Sequence, residues 1–259
     1  MNNNLIVYWT KGMPLSFLRY YTLYSFRHFN PHWKIIMLHT DNLNMSKTWD
    51  TGEQKTDYNN KDYYTDALKI IDEVITVNMK DVGFDDGLNE IYKSDILRYW
   101  AVVKYSGIWS DMDIVYTNSV PSSLIDVDFI CFAKKYYNIG FFGGIKGSNF
   151  FRNILNLQKK VQQKNGYQIY GSTLISRTSP ITCTINNMDM DLIYYLDSTR
   201  IRDIFYSEIA LPDRTIGVHW YGGDSISKYF EGVITPDNCY LKDTYIYKAI
   251  KKSFLKENM

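Results

Sequence analysis

Three short apolar runs near the N-terminus constrain the fold most: "LIVYW" at 5–9, "WKIIML" at 33–38 and "VITVN" at 74–78. Each is short, nearly continuous in apolar residues and bounded by turn residues, as strands buried on both faces are. Between them lie helical stretches. One begins near Leu15 and is stopped at "FNP" (29–31), and another is "DALKIIDE" (66–73); residues 41–62 read as an exposed polar loop. Strands alternating with helices predict an α/β architecture whose N-terminal half is a largely parallel sheet.

The longest helical pattern is "DDGLNEIYKSDILRYWAVVKYSG" (85–107), with Gly107 placed as the residue that ends it. Further strands are expected at "FICFA" (129–133) and "IGFFGGI" (139–145). A polar helix at 149–164 is expected to end at Asn165-Gly166, and a basic amphipathic helix at 245–258 carries Lys248, Lys251, Lys252 and Lys256. No internal repeat or low-complexity linker divides the 259 residues, so a single domain over 1–259 is expected.

Composition narrows the function classes. A net charge of +1 leaves no electrostatic footprint for nucleic acid. Cys131, Cys183 and Cys239 are odd in number and widely spaced, which fits neither a metal motif nor a disulfide framework and suits a reducing, cytoplasmic location. The N-terminal apolar run is too short for a signal peptide or a membrane span, and the basic tail helix reads as a solvated end or a peripheral membrane contact. Aromatic content is 16%, which fits sugar and base stacking as well as a plain bias towards Tyr.

The chemistry concentrates in "SGIWSDMDIVYT" (106–117). As a strand over 108–116 it projects Trp109, Asp111, Asp113 and Val115 to one face. Two unpaired carboxylates there would cost several kcal/mol by repulsion and desolvation. A divalent cation, Mn²⁺ or Mg²⁺, removes that cost, with substrate phosphates completing its shell; the other reading is a solvated strand end. Asp95 and Arg98, at i and i+3 on the preceding helix, share one face and either join this pocket or form an ordinary surface pair. The triplet's second copy, Asp189 to Asp191 in "NNMDMDLIYY", lacks such neighbours and reads as a structural loop.

The segment "SDILRYWAVVKYSGIWSDMDIVYTNSVPSSL" resembles the sugar-binding segment of Asp-x-Asp glycosyltransferases. These are the Och1-like mannosyltransferases, the capsular polysaccharide transferases and the glucosyltransferase domains of clostridial toxins (glycosyltransferase family 32-like). Ser94, Asp95, Arg98, Gly107, Trp109, Asp111 and Asp113 fit the shared pattern, with Asp95 and Asp111 sixteen positions apart. "IVYWTKGMPLS" and "NPHWKIIMLHTDN" look like the family's opening strands. "GVHWYGGDSI" (217–226) resembles its C-terminal His-Trp-x-Gly-Ser-Trp element, but Asp224 is inserted before Ser225 and Ile226 replaces the final Trp.

The resemblance implies a GT-A fold, a Rossmann-like mixed sheet flanked by helices, with a nucleotide-sugar half over 1–116 and an acceptor half over 117–259. It implies transfer of a sugar from a nucleotide-diphospho-sugar, a UDP-sugar before a GDP-sugar, to a hydroxyl of a glycan, protein or lipid, with retention of configuration. Asp95, Arg98 and Asp111 take the catalytic roles, and Asp113, Asp111 and His219 hold the cation. Donor contacts fall to Trp9, Thr10, Asp95, Arg98, Trp109, Asp111, Met112, His219 and Ser225. Trp9 is a stacking platform or core packing; Trp109 lines the sugar pocket or the core. Gly143 and Gly144 either let the backbone approach the ligand or mark a bulge. Two rivals stand beside this reading. One is a haloacid-dehalogenase-type phosphatase using Asp111 and Asp113, although that motif normally ends the first strand. The other is a non-catalytic nucleotide-sugar binder.

Overall fold

The computed structural model describes residues 3–44, 58, 60–162, 166, 168–177 and 185–254. Most of the expected loop at 41–62, Asn165, Cys183 and Lys256 lie outside them; the helix expected over 149–164 ends at Gln158, where Lys159 caps it. The first three runs form β1 (Asn4–Tyr8), β2 (Lys34–Thr40) and β3 (Glu73–Val77), linked by α1 (Phe17–Phe29) and α2 (Tyr64–Leu68). After the short α3 (Met79–Val82) come α4 (Glu90–Tyr105), β4 (Gly107–Ser110) and β5 (Ile114–Tyr116). The second half holds β6 (Phe129–Ala133), β7 (Tyr136–Gly144), α5 (Asn149–Gln158), α6 (Ser172–Arg177) and β8 (Asn186–Asn187). It ends with α7 (Ile201–Tyr206), β9 (Gly217–His219), α8 (Ser225–Val233) and α9 (Tyr245–Phe254).

Among the described residues the main sheet has the order β3-β2-β1-β4-β7-β6-β8. The pairs β3–β2, β2–β1 and β1–β4 are parallel, whereas β4–β7 and β7–β6 are antiparallel. The parallel half is the one expected from the strand–helix alternation, and the mixed whole is the one the resemblance implies. Both faces of β1 and β2 are covered, whereas β3, at the sheet edge, leaves Val74 and Thr76 exposed, so it is not the doubly buried strand its apolar run suggests. Ile6, Tyr8, Ile36 and Leu38 pack with α4 and α5, while Leu5, Val7, Ile35 and Met37 pack with Leu23 and Phe26 of α1. That explains why β1 and β2 read as unbroken apolar runs.

Helix α4 starts later than its periodicity suggests, because the Asn89 side chain accepts the Ile91 N–H as an N-cap. Its end is set at Ser106 and Gly107, with φ of 62° and 124°. A Cβ on Gly107 would also lie 2.4 Å from the Asn4 carbonyl, so glycine is required there on both counts. The chain therefore leaves α4 directly into β4, beside β1.

Two expectations are corrected. The strand expected over 108–116 breaks after Ser110. Asp111-Met112-Asp113 is a turn, and β5 pairs antiparallel with β9 in a separate two-stranded sheet. Helix α1 captures the departing chain: Thr22 Oγ1 donates to the Met112 carbonyl at 3.1 Å, and Ser25 Oγ accepts from Tyr116 N at 3.0 Å. The tail helix does not offer an apolar face to a membrane. Tyr245, Ile246, Tyr247, Ala249 and Ile250 are buried against α1, α7 and α8, and Lys251 bridges Asp243 at 2.7 Å. No helix among the described residues is long and apolar enough to cross a membrane.

Candidate active site at the end of strand β4

The site forms where β4 ends. Asp111 N donates to the Gly140 carbonyl at 2.7 Å, the last bond before the chain turns out of the sheet. The turn gives the two aspartates different surroundings. Asp111 keeps a side chain 27% exposed, whereas Asp113 is buried. The indole N–H of Trp109 donates to Asp111 Oδ1 at 2.8 Å and orients that carboxylate.

Helix α4 brings Asp95 and Arg98 to the same place. Arg98 Nη2 lies 2.9 Å from Asp95 Oδ1, and Nη1 lies 3.5 Å from Asp111 Oδ1 and donates to the Ile139 carbonyl at 2.8 Å. The guanidinium also sits 5.4 Å from the Trp109 ring centre. Both Asp95 and Arg98 are buried, so this is no surface pair. Burial raises the Asp95 pKa to about 6, with Arg98 opposing and Asp111 adding to the rise. Asp95 Oδ2 is buried without a hydrogen-bond partner.

The C-terminal element closes the other side. Strand β9 pairs Ile114 with His219, which sets the imidazole beside Asp113. His219 Nε2 and Asp113 Oδ1 are 3.0 Å apart, yet neither is aligned for a hydrogen bond. Asp113 Oδ2 accepts the Gly222 N–H at 2.7 Å. Burial alone would raise the Asp113 pKa, but His219, Arg19 and the Gly222 amide outweigh it and hold the carboxyl well below the usual range. Burial likewise opposes a charge on His219, and the two aspartates more than offset it, so its pKa is raised.

One ligand atom from each of Asp111, Asp113 and His219 falls within 4.8 Å of the others. Two carboxylates and an imidazole suit Mn²⁺, and Mg²⁺, which prefers oxygen ligands, would draw on the two carboxylates. The unaligned Asp113 Oδ1 and His219 Nε2 are what such a cation would satisfy. The residues present fit the ion.

Other expected contacts fall differently. Trp109 is 1% exposed, so its ring packs in the core and its N–H serves Asp111 instead of a sugar face. The Met112 side chain is buried in the core cluster that includes Leu5, Ile114 and Tyr116. Trp9 is half-buried, donates from Nε1 to the Met13 carbonyl and lies 5.1 Å from the Arg19 guanidinium. Thr10 Oγ1 donates to Glu90 at 3.1 Å. Ser225 is exposed on the first turn of α8, and the inserted Asp224 is that helix's N-cap. Gly143 and Gly144 meet Phe129 and Phe151 at 2.4 and 2.7 Å from a built Cβ, so they serve core packing.

Sequence reading missed Arg19, Gly140, Gly222 and Tyr194. Arg19 lies between the rings of Trp9 and Trp220, pairs with Glu231 at 2.9 Å and adds positive potential at Asp113. Only Gly222 carried a sequence signal, as part of "WYGGDS". The second Asp-Met-Asp lies on an exposed turn, where Arg214 bridges Asp189 and Asp191 at 2.8 and 2.5 Å.

No protein-family model matches the sequence, and no curated protein matches it. Solved structures do. PaToxG glycosyltransferase superposes with a TM-score of 0.51 at 12% identity, covering 97% of this chain and 86% of that one. A structure of an active-site mutant of LgtC covers 98% of this chain and 95% of its own at 12% identity, with a TM-score of 0.47. The chain has the GT-A fold, shared over nearly its whole length with PaToxG glycosyltransferase.

Proposed function

We propose that this protein is a metal-dependent glycosyltransferase. It moves a sugar from a nucleotide-diphospho-sugar, a UDP-sugar before a GDP-sugar, to a hydroxyl of a glycan, protein or lipid. The observation that carries this reading is the Asp111, Asp113 and His219 cluster beside the buried Asp95–Arg98 pair at one end of β4. The shared fold with a glycosyltransferase supports it.

The donor half corresponds to 1–116 and the acceptor half to 117–259. Asp113, Asp111 and His219 would hold Mn²⁺ or Mg²⁺, which when bound would supply positive charge to offset that growing on a departing diphosphate. Asp113 suits that task because burial and the Gly222 amide fix its carboxylate. Arg98 provides a cation that stays charged at any working pH, held by Asp95 and the Ile139 carbonyl at fixed distance from Asp111. Asp95 Oδ2, with no protein partner, is free to accept a donor-sugar hydroxyl. Retention of configuration remains part of the proposal through the resemblance. The buried, unbridged Cys131 and Cys239 agree with a cytoplasmic location.

The test is a thermal-shift panel of UDP-, GDP-, CMP- and dTDP-sugars with Mn²⁺, repeated with EDTA and in Asp113→Ala. A donor at about 100 times its Kd stabilises by roughly 2.7 kcal/mol. A metal-dependent rise for one nucleotide class, absent in the variant, is expected. No rise with any donor would sink the proposal, and phosphate release from a generic phosphomonoester would favour the phosphatase. Binding without sugar transfer or donor hydrolysis would leave the non-catalytic binder.

A further inference from the structure

Helix α1 carries a cation that the metal site does not use. Arg19 stands in its first turn, and the guanidinium lies between two indoles, 5.1 Å from the Trp9 ring centre and 5.2 Å from that of Trp220. Nε donates to Glu231 Oε1, on α8, at 2.9 Å. Neither Nη group has a protein partner among the described residues, and the side chain keeps 13% of its surface exposed. Stacking fixes the plane of the guanidinium, so donors that face no protein acceptor are already oriented for a ligand.

Those donors lie beside the carboxylates of the site. A Cβ built on Gly222 would meet Arg19 Nη2 at 2.6 Å, and the Gly222 N–H itself donates to Asp113 Oδ2 at 2.7 Å. Glycine at 222 thus lets the guanidinium pack directly on the backbone that holds Asp113. Trp220, stacked on the same guanidinium, gives its N–H to the Asp113 carbonyl at 2.9 Å. Arg98, the other arginine at the site, has no comparable freedom. Its Nη1 donates to the Ile139 carbonyl at 2.8 Å, and its Nη2 lies 2.9 Å from Asp95 Oδ1 and 3.3 Å from Ser94 Oγ.

We propose that Arg19 is a donor-binding residue whose Nη groups hydrogen-bond the diphosphate of the nucleotide-sugar. This rests on the donor reading above. A guanidinium fork matches phosphate oxygens bidentately and carries a charge that no working pH removes. The charges of Asp111 and Asp113 already offset those of a divalent cation, so a diphosphate held there needs positive charge from a further source. Arg98 spends its donors within the protein, whereas Glu231 takes Nε of Arg19 and leaves both Nη groups available.

Calorimetry on the full chain titrates Mn²⁺ alone, then UDP, GDP, CDP and dTDP with Mn²⁺ saturating. The proteins are the parent, Arg19→Lys, Arg19→Gln and the double variant Arg19→Gln with Glu231→Gln. The nucleoside diphosphate that the parent binds is expected to bind both Gln variants roughly ten- to a hundredfold more weakly. Arg19→Lys should fall between, because lysine keeps the charge without the fork. Mn²⁺ alone should bind every variant no more weakly than the parent, since removing a positive charge beside Asp113 does not repel the ion. Arg19→Gln strands the buried Glu231 carboxylate, 1% exposed, and should it fail to fold, the double variant still decides. Diphosphate affinity of the double variant within about twofold of the parent overturns the role of Arg19 and spares the donor site. Equal weakening of Mn²⁺ and diphosphate makes Arg19 a prop for Asp113 and overturns the role likewise. A parent that binds no nucleoside diphosphate overturns both this role and the donor reading.

Discussion

Arg98→Met should destabilise the fold far more than loss of a surface ion pair would. The guanidinium is buried, 2.9 Å from Asp95 Oδ1, and donates to the Ile139 carbonyl at 2.8 Å. Methionine replaces much of the stem but leaves Asp95 buried without its cation. Breaking a buried pair from one side costs about 3–5 kcal/mol, against about 0–1 for an exposed pair. At roughly 2–4 °C per kcal/mol for a domain of this size, the midpoint should fall by about 6–20 °C.

The loss should also depend on pH. Burial already raises the Asp95 pKa to about 6 while Arg98 opposes the rise. Without Arg98 it goes higher. A carboxyl with a raised folded-state pKa is penalised above that pKa, where the fold must bury its charge, and relieved below it. Arg98→Met should therefore be most damaged near about pH 8 and recover towards about pH 5. Adding Asp95→Asn should restore part of the stability at neutral pH, because the stranded charge is gone, without restoring donor binding. Urea unfolding of both singles and the double variant across that range measures all of this. A loss under about 1 kcal/mol at neutral pH, or additive losses in the double variant, would refute the reasoning.

His219→Ala removes one of the three ligand atoms and should weaken Mn²⁺ binding by at least about tenfold in calorimetry; unchanged affinity would remove His219 from the site. Gly143→Ala puts a Cβ 2.4 Å from the Phe129 ring and should cost about 1–3 kcal/mol in urea unfolding with no change in Mn²⁺ affinity. An unaltered midpoint would show that β6 and β7 can part there. The protein should not co-float with anionic vesicles, because the apolar face of α9 is core; flotation would mean that the helix undocks.

The sequence by itself determined the strands of the parallel half, the helix that carries Asp95 and Arg98, and the run from that helix through Gly107 into Asp-Met-Asp. These features are local. Apolar periodicity and a helix-ending glycine act over a few residues, so spacing alone exposes them, although sequence reading missed the helix start at the Asn89 cap. The resemblance placed His219 among the ligands, yet its position beside Asp113 depends on the pairing of β5 with β9.

Only the tertiary structure decided the rest. The strand breaks at Asp111 because Thr22 and Ser25 of α1 take up the chain's hydrogen bonds, and no pattern within 106–117 reveals those partners. Trp109 shares a face with Asp111 in either description, but only packing turns its N–H to the carboxylate and its ring to the core. An amphipathic tail announces that one face must be covered; whether α1 and α7 or a membrane covers it is a matter of docking. Gly140 has no local signature because what excludes a larger residue there is the close approach of Asp111, His219 and Tyr194, atoms distant in sequence. Hydrogen-bond partners and gaps are properties of surfaces brought together, and only the folded chain brings them together.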